Sequence, residues 1–231
     1  MSPKKTRLIY EVRDLNKTYG NRTVIQIGKL QFHPGAVYGI IGPIGSGKST
    51  LLRLLAGVEK PTSGFLAFEE ESFETGWFGK IKRNENIYLA SVDQLSKKHK
   101  VSQLVKEINP QKVDQIRGRY FSKNPRKEIW NETIESLSPG ECAWVNKILA
   151  VQSDPRVLLI DDYGTVMDKN MERDFRNRII KMNKELGTTI IVAAPDNHHI
   201  RRFASVLIHL DNGHISKIRP GNSKSFNYRK R

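Results

Sequence analysis

Residues 42 to 50 read GPIGSGKST, and this is where the chain's chemistry concentrates. Gly42, four residues, then Gly47-Lys48-Ser49 is the spacing of a loop whose bare backbone N–H groups wrap a polyphosphate. Lys48 reaches the outer phosphates, and Ser49 offers its hydroxyl to Mg²⁺. Pro43, Ile44, Gly45 and Ser46 within the loop, and Thr50 after it, belong to the same nucleotide-binding set. A second chemical feature is the pair Asp161-Asp162, two carboxylates at the end of the apolar run VLLI.

Such residues need a scaffold of a particular kind. Residues 36–41, AVYGII, read as a buried strand, and residues 50–56, TLLRLLA, as a helix, so the loop has the strand–loop–helix setting that puts phosphates on a helix N-terminus. Residues 157–160 form a continuous apolar strand of the type buried on both faces in a parallel sheet. Phe175, Ile179, Met182 and Leu186 recur at helical spacing before Gly187, and residues 189–193 supply another buried strand. Residues 8–12 and 23–27 read as strands around a turn at Tyr19-Gly20-Asn21. Residues 206–210 and 215–218 make a closing hairpin around Asp211-Asn212-Gly213. A strand over 65–68 and one over 87–92, ending at Asp93-Gln94, complete the β content. From 95 to 137 the pattern is helical and strongly charged, and Ser138-Pro139-Gly140-Glu141 opens a helix through Val151.

A chain of 231 residues buries a full α/β core. Its single cysteine, Cys142, excludes an internal disulfide and a thiolate metal cage. The opening MSPKKTRLIYEV has no apolar core of signal-peptide length, and no greasy run is long enough to span a bilayer. The formal charge of +15 is the one strong deviation in composition. It accumulates between Lys80 and Lys127 and after Asp211, where Lys217, Arg219, Lys224, Arg229, Lys230 and Arg231 meet no acidic residue. Aromatic residues are not interleaved with these cations as a base-stacking platform requires.

The order of the motifs is more specific than any of them alone. Tyr19, GPIGSGKST, Gln94, LSPGE at 137–141, VLLIDD ending at Asp162, and Asp168 together resemble the nucleotide-binding domain of ABC transporters over nearly the whole chain. The resemblance implies an α/β fold. Its parts are a P-loop NTPase (RecA-like) parallel-sheet core, an N-terminal antiparallel β subdomain and a shortened helical subdomain at about 95–138. Residues 1–218 would form that domain and 219–231 a basic, mobile tail. It implies ATP and Mg²⁺ as cofactors, with Tyr19 stacked on the adenine and Asp161, Ser49 and Gln94 at the metal. Gln94 would also sit near the attacking water. Ser138 and Gly140, with Glu141 of the same stretch, would meet the γ-phosphate bound by a second subunit in a head-to-tail dimer, and Asp168 would lie in the loop crossing that interface. Taken singly, Tyr19 reads as a hairpin aromatic, Gln94 as a solvated strand end and Asp168 as a helix cap.

Several positions depart from the family pattern. Asp162 stands where a glutamate general base is usual, and Ala193-Ala194-Pro195-Asp196 puts Pro195 at the switch histidine; His198 and His199 fall beyond it and read as surface residues. Tyr163-Gly164 follow the acidic pair in place of Pro-Thr or Pro-Ser, and Trp144 stands where arginine is common. Binding residues are kept and hydrolytic ones altered. The expectation is an ATP-binding subunit, peripheral on the cytoplasmic face of a membrane, that pairs with a like or unlike subunit and serves separate transmembrane permease subunits, with slow hydrolysis through Asp162 and Gln94. The net charge leaves a soluble nucleic-acid- or ribosome-associated ATPase of the family as an alternative, and a non-hydrolysing ATP sensor is another.

Overall fold

The computed structural model describes residues 7–73, 81–82, 84–123, 126–165 and 167–222. The chain divides into two compact units, Met1–Leu89 with Pro155–Thr165 and Ile180–Arg231, and Ala90–Asp154 with Val166–Ile179.

The first unit carries two sheets. Strands β1 (Tyr10–Tyr19), β2 (Arg22–Phe32), β4 (Ser63–Phe68) and β5 (Glu71–Ser72) form an antiparallel sheet in the order β2-β1-β4-β5. Its alternation is that of a one-sided sheet: Tyr10 and Val12 in β1, and Ile25, Ile27, Leu30 and Phe32 in β2, are buried. Both β1 and β2 run well beyond the residues expected from sequence and meet at a tight turn where Gly20 takes φ +55°. The second sheet has the order β10-β9-β3-β8-β7-β6, from β10 (His214–Pro220), β9 (Val206–Asp211), β3 (Val37–Ile41), β8 (Thr189–Ala194), β7 (Val157–Ile160) and β6 (Ile87–Ala90). Strands β9, β3, β8 and β7 are parallel neighbours, so their carboxyl ends share one edge. That edge is where residue 42 follows β3 and Asp161 follows β7. Helix α1 (Lys48–Leu55) packs Leu51, Leu52, Leu54 and Leu55 into the core between the sheets, together with Ile40, Leu159 and Ile191. Each such side chain contributes about 1.5–3 kcal/mol relative to exposure.

The second unit is helical: α2 (Val101–Ile108), α3 (Val113–Tyr120), α4 (Arg126–Ile129), α5 (Pro139–Gln152) and the first part of α6 (Lys169–Leu186). Its core is aromatic. Phe121 is fully buried, with the rings of Trp130 and Trp144 both 5.1 Å away. Trp144, unusual for the family at its position, is therefore a packing residue of this cluster.

Sequence expectations shift in four places. The β6 strand stops at Ala90, and Gln94 closes a 3₁₀ turn over Val92–Gln94 instead of ending a strand. The stretch 95–137 is broken into short helical pieces, Pro110 starting one of them, because proline has no N–H for a continuing helix. Leu186 is exposed despite its helical spacing, since α6 ends there and Gly187 turns the chain at φ +72°. The last strand continues to Pro220, two residues into the segment assigned to the tail; Lys224, Arg229, Lys230 and Arg231 lie outside the described residues.

Candidate functional site

The loop between β3 and α1 is shaped by its glycines. Gly45 and Gly47 take φ +83° and +99°, backbone that L side chains avoid. Gly42 is excluded from change for a different reason: a Cβ there would sit 2.1 Å from the Leu210 carbonyl oxygen and 2.7 Å from Ser46 Oγ. Gly42→Ala is therefore expected to cost about 3 kcal/mol or more and lower the thermal midpoint by roughly 10 °C, read by thermal unfolding.

The charged groups converge across the loop. Lys48, a residue only 7% exposed, donates through its ammonium to the carbonyls of Gly42 at 2.8 Å and Pro43 at 2.9 Å, so that group lies across the loop's mouth. Burial pulls its pKa below the ordinary lysine value, while the neighbouring carboxylates of Asp162 and Asp161 push it back up. Ser49 Oγ donates to Asp161 Oδ1 at 3.1 Å, and the Asp162 N–H donates to the same oxygen at 3.0 Å. Four of the predicted residues, Lys48, Ser49, Asp161 and Asp162, are thus brought together.

These residues fit a bound triphosphate. Ser46 Oγ is buried with no hydrogen-bond partner among the described residues, and the first-turn N–H groups of α1 have none within the helix. An anion in the loop supplies both. Mg²⁺ fits as well: Ser49 and Asp161 offer two hard oxygens, and phosphate oxygens and water complete such a shell. Among the described residues no cluster of three or more His, Cys, Asp or Glu forms a metal site by itself.

Tyr19 ends β1 with its side chain partly exposed. Its hydroxyl is bonded to Glu59, and Glu59 also accepts from Arg53 Nε at 2.6 Å and lies 3.4 Å from Lys17 Nζ. Partial burial and the Glu59 carboxylate raise the Tyr19 pKa, so the phenol stays neutral. Lys17 Nζ stands 5.0 Å from the ring centroid. This anchoring group escaped sequence reading, because Lys17, Arg53 and Glu59 belong to no local motif and meet only when the end of β1 lies against the segment that follows α1.

The turn after Asp161 is tight. Asp162 has φ +48° and its carbonyl accepts from Thr165 Oγ1 at 2.6 Å. Tyr163 is fully buried, its ring 5.6 Å from that of Phe203, which explains why an aromatic residue replaces proline. Gly164 has φ +89°, and a Cβ on it would lie 3.1 Å from His199 Cδ2. His199 is half-buried against this turn and is not the surface residue expected; His198 is exposed. Pro195 is exposed directly after β8.

The remaining predicted residues belong to the helical unit. Gln94 is exposed, its amide 3.4 Å from the Asp93 carboxylate. Ser138 is the exposed N-cap of α5, with Pro139 in the first turn and open space around Gly140. Glu141 turns back on Ser138, accepting from its N–H at 2.8 Å and its hydroxyl at 2.6 Å; those two bonds hold its pKa below the usual carboxylate value. Glu141 is thus part of a capping box. Asp168 is a helix cap too, its Oδ1 accepting from the N–H groups of Asn170 and Met171, both at 2.8 Å.

Fold and site together define a phosphate-loop nucleotide-binding protein in which a helical unit interrupts a parallel-sheet unit. The profile of the family described as ABC transporter matches residues 25–165, and the chain belongs to that family. A spermidine/putrescine import ATP-binding protein, PotA, of Bacillus thuringiensis is 26% identical over 215 residues, which is 91% of this chain and 65% of that protein. The chain therefore spans just under two thirds of such relatives' length. A probable sulfate/thiosulfate import ATP-binding protein, CysA, of Chlorella vulgaris is 26% identical over 226 residues, covering 90% of this chain and 89% of that one. Among solved structures, cbiO1 of Clostridium perfringens, part of an ABC transporter complex, superposes with TM-score 0.71 at 23% identity, covering 94% of this chain and 89% of its own. A bacterial ABC transporter cassette solved as a dimer gives TM-score 0.76 at 19% identity, covering 91% and 98%. At these identities the likeness concerns the fold.

Proposed function

We propose that this chain is the ATP-binding subunit of an ABC transporter complex, one that binds Mg-ATP, pairs with a second nucleotide-binding subunit and thereby drives or regulates a separate membrane permease. The observation that carries this reading is the loop itself: Ser46 Oγ buried without a partner among the described residues, beside a Lys48 ammonium parked on two carbonyls, a cradle complete for a triphosphate. Asp161 and Ser49 hold the magnesium ion, and Tyr19, fixed by Glu59, takes the adenine on its ring face. Ser138 and Gly140, at an exposed and capped helix start, meet the γ-phosphate held by the second subunit, with Glu141 keeping that start in shape. No helix among the described residues is long and apolar enough to cross a membrane, in keeping with a subunit seated on the cytoplasmic face of its permease.

Intrinsic hydrolysis is slow in this reading. Asp162 reaches one methylene less far than glutamate, and Pro195 has no donor for the γ-phosphate.

The test is sedimentation of the purified chain with Mg-ATP. A dimer is expected with ATP and absent without it, or absent in both until the partner subunit is added. Ser138→Arg should block dimerisation while leaving ATP affinity within about twofold, because only the surface offered to the second subunit changes. Single-turnover measurement should give slow hydrolysis. Brisk turnover by a homodimer, lost in Asp162→Asn, overturns the slow-hydrolysis reading; absence of any nucleotide binding overturns the function.

A further inference from the structure

The helical unit contains a cleft of about 460 Å³ lined by none of the nucleotide-binding residues. Its walls are the last turn of α3, with Arg119 and Tyr120; the middle of α5, with Trp144 and Lys147; and α6, with Asp174 and Arg178. The volume lies within the range of roughly 300–1,000 Å³ usual for small-molecule sites.

Its charge is unbalanced. Arg119, Lys147 and Arg178 face the cleft, and none of them has a carboxylate at ion-pairing distance among the described residues. Two carboxylates also line it, but Asp168 already caps α6 through two N–H bonds, which leaves the exposed Asp174. Arg178 Nη1 donates to the Tyr120 hydroxyl at 2.8 Å, a tie between α6 and α3 that a purely structural role explains. Lys147 has no such explanation. Half-buried Lys147 has, among the described residues, one hydrogen-bond contact for its ammonium, the Met171 thioether sulfur at 3.4 Å, a poor acceptor for a cation. Burial pushes its pKa down to about 8, with Asp168 opposing the shift. A cation held out of water on a sulfur atom is costly, and an arriving anion removes that cost.

The cleft is also flat-sided. Trp144 and Tyr120 line it, and the Tyr120 ring has the guanidinium carbons of Arg119 and Arg178 at 5.5 and 5.3 Å. A planar group is therefore favoured over a compact ion.

We propose that this cleft is a second ligand site that takes a small organic anion carrying a flat ring, an aryl phosphate or aryl carboxylate, with Lys147 and Arg178 on the anion and Trp144 and Tyr120 against the ring. The site lies wholly within the helical unit and does not depend on the triphosphate loop binding ATP.

Phenyl phosphate is the probe, titrated calorimetrically into the Lys48→Ala chain so that the loop's phosphate site is removed whatever its ligand. Saturable one-site binding is expected, with inorganic phosphate at least about tenfold weaker because it lacks the ring. Lys147→Met and Arg178→Gln should each weaken phenyl phosphate by about tenfold or more, with the thermal midpoint retained, since Lys147→Met deletes a half-buried charge without opening a void. Trp144 fluorescence should change on binding and follow the same isotherm. Arg119→Gln, at an exposed position, should cost about two- to threefold and serves where another variant misfolds. No saturable heat, equal affinity for inorganic phosphate, or binding untouched by Lys147→Met and Arg178→Gln in folded protein each overturns the proposal.

Discussion

Lys48→Ala is expected to weaken Mg-ATP binding by two to three orders of magnitude, measured by calorimetry, while leaving the thermal midpoint unchanged or slightly raised. The ammonium makes two bonds to loop carbonyls at 2.8 and 2.9 Å, and these are the positions from which it turns to the outer phosphates. Two charge-assisted bonds at about 1.5–3 kcal/mol each give at least about 3 kcal/mol, which at 1.4 kcal/mol per decade is the stated loss. Stability moves the other way because Lys48 is a buried cation: burial outweighs the help of Asp162 and Asp161 and lowers its pKa. The sign for pH follows. Below that lowered pKa the group is charged and available to phosphate, so ATP affinity should fall as the solution is made alkaline, and earlier than an exposed lysine would allow. Lys48→Ala should flatten that decline.

Asp162→Glu is expected to accelerate single-turnover hydrolysis by up to about a hundredfold, since about 1 Å of misplacement of a catalytic carboxylate is worth that much. The arm lengthens by one methylene at a residue already beside Asp161 and within electrostatic reach of Lys48. A cost accompanies the gain. Asp162 sits at φ +48°, a conformation aspartate tolerates better than glutamate, so the variant should lose about 1 kcal/mol of stability. Faster turnover with a lower thermal midpoint is the expected signature. Should turnover stay unchanged, Pro195 is the remaining obstacle, and Asp162→Glu combined with Pro195→His should then show the acceleration that the single change lacks. Failure of both would sink the idea that these two positions limit the reaction.

Much of the loop was legible because its chemistry is local. Gly42, Gly45, Gly47, Lys48 and Ser49 act within one turn of chain, and their spacing alone defines the cradle. The apolar runs before residue 42 and before Asp161 announced buried parallel strands, and Ser138-Pro139-Gly140-Glu141 was visible as a helix start. The structure bears these out as elements and adds what each side chain touches. Asp168 caps α6, as its single-residue reading expects, and Glu141 is held by the N–H and hydroxyl of Ser138.

What the sequence by itself determined is the set of groups: a glycine loop able to wrap phosphate, a cation and a hydroxyl to follow it, and two carboxylates after a buried strand. Only the tertiary structure decided their partners. The parallel order of β3, β8 and β7 brings Ser49 within 3.1 Å of Asp161 across 112 positions of chain. Glu59 fixes Tyr19, His199 rests on Gly164, and Lys147 is left on a thioether beside Tyr120 and Arg178 by the packing of helices. Spacing encodes what neighbouring residues do through shared backbone geometry, whereas contacts between distant segments depend on sheet order and burial, which no single segment of sequence contains.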